Sequence, residues 1–394
     1  MRGVIVRVTF KNLVVILLLS ISRNLAAQAK PSAEPVPQPA IPAILAAFDK
    51  YEVVGMSEAH RMKDEDDFIL TLIRTPAFSQ KVNDIVVECG NSLYQPILDR
   101  YIAGENVPFA DVEKVWRNTT QPMCDASEFF QVFYPLVRAI NQKLPQEKRL
   151  RVLAGDPPID WDQVKSQEDI DASDTYVRNQ SIASVMEREV LSKHRRALML
   201  FGIFHLMHES TTNAVGVYEK NYPNSTFVIG GLEGLENLDS PFLSSSPFSN
   251  WLIPSLALSK GTWLGAMPLS HFFGPGIKTD KHCVATYFYP EGKPIEKLVD
   301  ALLYLGPPSL ALREQTPAEI ASDPDLTAEL NRRAKLIGGY WTDVIDMGQS
   351  SVRQADNPLL DFAKPPSAAD LKSAEADCRQ EMQQAGKPPD GKVQ

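Results

Sequence analysis

Six side chains able to do acid–base or metal chemistry each follow an apolar run. Glu58 and His60 come after "VVGM", Glu88 after "DIVV", Asp156 after "RVLAG", and His205 with His208 after "ALMLF". Carboxylates and imidazoles together make a hard-to-borderline donor set suited to Zn²⁺, Mn²⁺ or Co²⁺. A metal held by His60 and His205 would polarise a water for which Glu58 or Glu88 serves as general base. The i, i+3 spacing of His205 and His208 allows both onto one helical face as metal ligands, and Asp156 offers a further carboxylate. A second chemistry is haem binding. Its axial ligand would come from His205 or Tyr94 and its apolar walls from Phe242 to Trp251.

These residues span about 150 positions, so only the fold can unite them. The runs "YEVVGMSE", "DIVVECG", "LRVLAGD", "ALMLFGIFH" and "STFVIGG" are short, apolar and β-branched, which predicts buried strands. Helical periods lie between them, clearest at Phe129, Phe133, Leu136, Val137 and Ile140, and again at Phe68, Ile69, Leu72 and Ile73. Strands alternating with helices imply an α/β fold, a predominantly parallel sheet with helices on both faces. In such a sheet the loops after the strands share the carboxyl edge, where open α/β folds bind ligands. "HCVATYFYP" and "VDALLYLG" read as further strands, and the Ser- and Pro-rich stretch after Leu232 reads as a long insertion.

Each candidate also has a plainer structural use. Glu58 can bond backbone amides at the next helix, and Asp64 to Asp67 are the acids expected in a solvated first helical turn. Glu88 can pair with a surface cation, and Asp156, before Pro157–Pro158, suits a turn. His194, His271 and His282 stand in polar or loop contexts. Rival chemistries are poorly served: there is no Gly-X-Ser-X-Gly elbow, and the preceding glutamate disfavours a Cys89 thiolate.

Composition narrows the class. Arg2, Arg7 and Lys11 precede the apolar run Leu13–Leu19 and a small-residue site ending Ala27–Gln28–Ala29, the pattern of a secretory signal peptide over residues 1–29. The chain is thus expected to be secreted or periplasmic, without stable membrane insertion after cleavage. Loss of that segment moves the formal charge from −9 to −13, with 36 basic against 49 acidic residues. Such a chain repels phosphate backbones, so a small-molecule or peptide substrate is expected and nucleic acid is not. Cys89, Cys124, Cys283 and Cys378 allow up to two disulfides, with Cys89–Cys124 favoured because both flank one early segment. A proline-rich linker spans 30–43 and the α/β domain 44–345. A polar, largely disordered tail over 346–394 holds one helix in "SAADLKSAEADCRQEMQQAG".

Over Val53 to His208 the chain resembles the superfamily that joins the ChaN haem-binding proteins, the Tiki and TraB proteins and the erythromycin-esterase-like enzymes. "SEAH" is similar to its Gly-Glu-X-His, with Ser57 in place of the glycine. "VVECGN" matches its strand-end glutamate, "LDRYIAGE" the following helix, "RNQSIA" an Arg-Asn segment, and "GIFH" its Gly-X-X-His. The resemblance implies a polar centre of Glu58, His60, Glu88 and His205, with Arg178 holding an anionic group. Its members include metal-dependent proteases, esterases and haem carriers, so fold alone does not select the activity. The expected function is a metal-dependent hydrolase of ester or peptide bonds, the alternative a haem or small-ligand carrier without turnover.

Overall fold

A computed structural model describes residues 33–170, 175–232, 248–269, 277–279, 283–287, 293–307, 311–337 and 368–384. The five apolar runs become β2 (Val53–Ser57), β3 (Asp84–Asn91), β4 (Arg151–Asp156), β5 (Ala197–Phe201) and β6 (Thr226–Gly231). With β1 (Gln38–Pro39), β7 (Ser255–Leu258) and β10 (Ala301–Tyr304) they form one sheet in the order β1-β7-β10-β6-β2-β5-β3-β4. The six strands from β10 to β4 run parallel, while β7 and β1 add antiparallel at one edge. "HCVATYFYP" contributes β9 (Ala285–Tyr287), paired with β8 (Ile277–Thr279) in a separate hairpin.

Period-two alternation sends successive side chains to opposite faces, and both faces are apolar. Val54, Met56, Ile85, Val87, Leu198 and Leu200 enter one core, joined by Phe133 and Val137 of the helix Phe129–Asn141 and Ile69 and Leu72 of the helix Lys63–Arg74. Val53, Val86, Met199 and Phe201 enter the other, with Ile182 and Met186 of the helix Thr175–Glu189. The expected helical periods thus supply the layers that cover the sheet.

At the β4 edge one side chain takes the place of a strand. Gln95 Nε2 donates to the Val152 carbonyl (2.9 Å) and its Oε1 accepts from Ala154 N (2.7 Å).

Two disulfides form, Cys89–Cys124 and Cys283–Cys378, the second fastening the tail helix Ala368–Gln384. No helix among the described residues is long and apolar enough to cross a membrane. The expected signal peptide, His271, His282 and residues 242–247 of the insertion lie outside the described residues. Phe248 of that insertion is buried, its ring centroid 5.3 Å from that of Tyr304.

The reading of Asp64–Asp67 as a solvated turn needs correction. Asp67 is exposed, but Glu65 and Asp66 are only 1% and 3% accessible. Helical spacing puts Glu65 with Ile69 and Leu72, and Asp66 with Ile69 and Ile73, on the buried side. Glu65 Oε2 accepts from Ala59 N at 2.6 Å and so ties down the loop that carries Glu58 and His60.

Candidate functional site

β2 ends at Ser57, so strand alternation does not orient Glu58 and His60. The chain instead leaves the sheet after Glu58 N donates to the Phe201 carbonyl (3.0 Å) and turns at Arg61, whose φ is 68°. The two side chains still meet. His60 Nδ1 lies 2.7 Å from Glu58 Oε2, off the N–H direction but in close ionic contact. His60 Nε2 lies 3.7 Å from Glu88 Oε1.

Glu88 is the centre of the cluster. It is 2% accessible and lies within β3, where the register shifts between Val87 and Asn91, so strict alternation lapses there. Its Oε1 accepts from Arg178 Nη2 (2.9 Å) and stands 3.4 Å from His205 Nε2. Its Oε2 accepts from Gly202 N (2.7 Å). Burial alone would raise this carboxyl, but His205, His60 and Arg178 together hold it well below the usual carboxylate range. His60 moves the opposite way: burial would lower it, yet Glu58 and Glu88 raise it well above an ordinary imidazole.

The tautomer of His205 follows from its surroundings. Asn179 Oδ1 accepts from Ala214 N (3.1 Å), which fixes that atom as the amide oxygen. His205 Nδ1, 2.7 Å from the same oxygen, must therefore carry a proton, and Nε2 is the nitrogen turned to Glu88. Burial of Asn179 also rules out a glycan on the Asn-X-Ser site there.

Arg178 completes the core of the site. Its Nε donates to Asp156 Oδ1 (2.7 Å), while Asp156 Oδ2 accepts from Thr120 N and Oγ1 (2.8 and 2.9 Å). The fold thus brings together Glu58, His60, Glu88, His205 and, through Arg178, Asp156. Asp156 is spent on Arg178 and Thr120 rather than turned toward the imidazoles. Tyr94 lies on the turn after β3, its hydroxyl accepting from Asn118 Nδ2 (3.0 Å).

His208 departs from the set expected on one helical face. The helix holding His205 ends at Leu206, and His208 Nε2 instead meets Asp300 Oδ2 (2.9 Å), with Nδ1 3.5 Å from Glu219. Burial would lower His208, but hydrogen bonds to Asp300 and Glu219 push it up to about 9. A raised folded pKa stabilises fully below the unfolded value and loses its effect as pH rises through the folded one. His208→Gln is expected to cost about 1–2 kcal/mol at pH 6 and little above pH 9, read from urea melts at both. An equal cost at both pH values would rule out the ionic role.

Several neighbours carried no sequence signal. Asp125 is buried, and desolvation, opposed by Arg333 and Arg117 and reinforced by Asp156, raises it well above its ordinary range. Asp66 and Glu314 form a buried carboxyl pair, and burial with repulsion from Glu314, Glu58 and Glu65 pushes Asp66 up to about 10. Glu65 and Asp66 were recoverable in principle, because the helical period places both on the apolar side.

A cavity of about 200 Å³ lies beside the His60 loop, lined by Met62, Asp64, Glu65, Leu232, Tyr304 and Leu305 among others. A larger groove of about 600 Å³, between Ile73 and Lys148, holds none of the cluster.

No family model matches the chain, and no curated protein matches it. Three solved structures are distantly similar. A Bacillus cereus protein is 12% identical with a TM-score of 0.45, the match covering 76% of this chain and 99% of that one. ChaN of Campylobacter jejuni, whose structure describes cofacial haem binding, is 12% identical with a TM-score of 0.30, covering 48% and 84%. The type III effector HopBA1 is 16% identical with a TM-score of 0.33, covering 52% and 90%.

Proposed function

We propose that this protein is a secreted or periplasmic metal-dependent hydrolase of ester or peptide bonds, acting at Glu58, His60, Glu88 and His205. One observation carries the reading. Both imidazoles turn Nε2 to the same Glu88 oxygen while Nδ1 is held from behind, by Glu58 for His60 and by Asn179 for His205. Imidazoles so oriented by a partner on the far nitrogen suit a divalent ion, which when bound would draw the two rings together and supply Lewis-acid polarisation of a water.

The chain's own residues supply the remainder. Glu58 would take a proton from the attacking water directly. Arg178 keeps Glu88 ionised and, with Gly202 N, fixes its orientation. The adjacent cavity, apolar at Leu232, Tyr304 and Leu305, would receive the non-reacting part of a small substrate.

Purified protein is expected to carry Zn, Mn or Co in stoichiometric amount and to cleave activated esters or peptides. His60→Ala and His205→Ala should each lose the metal and lower kcat/KM by roughly 100-fold or more. Protein that is metal-free by elemental analysis and cannot be loaded would end this reading. A haemin titration giving a Soret band that vanishes in His205→Ala would replace it with the carrier function.

A further inference from the structure

The disulfide Cys89–Cys124 lies against the cluster. Donor atoms of His60, Cys89 and Cys124 are all within 4.8 Å of one another, the one group of three or more His, Cys, Asp or Glu among the described residues to converge so closely. Cys89 follows Glu88 directly, and the shifted register at the end of β3 lets both residues approach His60. Cys124 arrives on the single turn Pro122–Asp125. Both sulfurs are bonded to each other and buried, so in the oxidised chain neither can ligate an ion strongly.

We propose that reduction of Cys89–Cys124 converts this corner into a thiolate metal site, in which Cys89, Cys124 and His60 hold a zinc-like divalent ion and Glu58 supplies the fourth donor. The donor types are those of tetrahedral Cys₂His sites. Thiolates at about 2.3 Å from one ion stand roughly 3.8 Å apart, so the freed sulfurs must separate by about 2 Å, within reach of side-chain rotation on Cα atoms 5.4 Å apart. Glu58 Oε2 already stands 2.7 Å from His60 Nδ1, the nitrogen that would turn to this ion, while Nε2 is the one that faces Glu88.

The chemistry balances with an external dithiol. Its thiolate attacks one sulfur of the bridge to form a mixed disulfide, and its second thiol then displaces the protein sulfur. The dithiol leaves as its own disulfide, while Cys89 and Cys124 take up two electrons and two protons. The incoming divalent ion displaces those two protons. Because His60 serves both sites, an ion held by the thiolates draws it away from Glu88. The oxidation state of one bond therefore decides which site exists.

The test uses the full chain, anaerobic, reduced with a trialkylphosphine that is converted to its oxide and removed, then titrated with Co²⁺. Sulfur-to-cobalt charge-transfer absorption should appear and saturate at a single equivalent in the reduced protein. It should be absent from the oxidised protein and from reduced Cys89→Ser/Cys124→Ser, which retains Cys283 and Cys378. His60→Ala should weaken cobalt binding at least tenfold, the least that loss of a mere supporting partner costs. Absence of the band in folded reduced protein, or an unchanged affinity in His60→Ala, overturns the proposal. So does a collapse of the far-ultraviolet circular dichroism on reduction, since the site requires a fold that survives without the cross-link. The band reports cobalt–sulfur bonds alone, so its outcome is separate from whether the oxidised protein hydrolyses anything.

Discussion

Arg178→Met is expected to cost about 3–5 kcal/mol of folding stability near neutral pH, with a fall in Tm of roughly 5–10 °C. Arg178 is 8% accessible and is the cation shared by Glu88 and Asp156. Removing it leaves two carboxylates in a region that water does not reach. Asp156 would keep the two bonds from Thr120, and Glu88 the bond from Gly202, but the compensating charge would be gone. Arg178→Lys should recover only part of the loss. One ammonium cannot reproduce the two directions in which Nε meets Asp156 and Nη2 meets Glu88. Urea melts of the three proteins measure this, and a deficit below about 1 kcal/mol for Arg178→Met would show that the carboxylates are solvated after all.

Asp66→Asn should do the reverse and stabilise the protein at neutral pH, by about 1–3 kcal/mol. Asp66 titrates near 10 in the fold against an ordinary value of 3.8, for want of water and in the company of Glu314, Glu58 and Glu65. An acid with a raised folded pKa costs nothing below its unfolded pKa, and its penalty grows with pH until the folded pKa is reached. The gain from Asn should therefore be near zero at pH 3.5 and clear at pH 8. An amide can donate to Glu314 as the protonated carboxyl does, so the neighbouring geometry need not change. A variant less stable than the parent at pH 8 would mean that Asp66 is ionised and paired.

The two predictions differ in how visible their residues were beforehand. Glu88 and His205 could be placed at one edge because strands announce themselves by local composition, and their ends follow from topology. Arg178 and Asn179 entered only through the "RNQSIA" resemblance. Their work, one bridging two carboxylates and the other setting a tautomer, depends on contacts 22, 90 and 26 residues away in the chain. The burial of Asp66 was legible in the helical period that puts it beside Ile69 and Ile73, but its pairing with Glu314, far along the chain, was not. His208 went astray because the short helix stops at Leu206 and the spacing argument with it. Local pattern reports burial and element type, while charge pairing across the fold leaves no local trace.

The side-chain bridge at the β4 edge bears on how copies of this protein meet. A parallel sheet normally ends in a row of free amides and carbonyls that invites a strand from another molecule. Here Gln95 occupies that row at Val152 and Ala154. At the opposite end β1 is two residues long and includes Pro39, which has no N–H to offer. Both ends of the ladder are thus blunted against intermolecular strand exchange, and a single amide guards the longer one. Neither edge of the main sheet, among the described residues, offers a ready template for fibres.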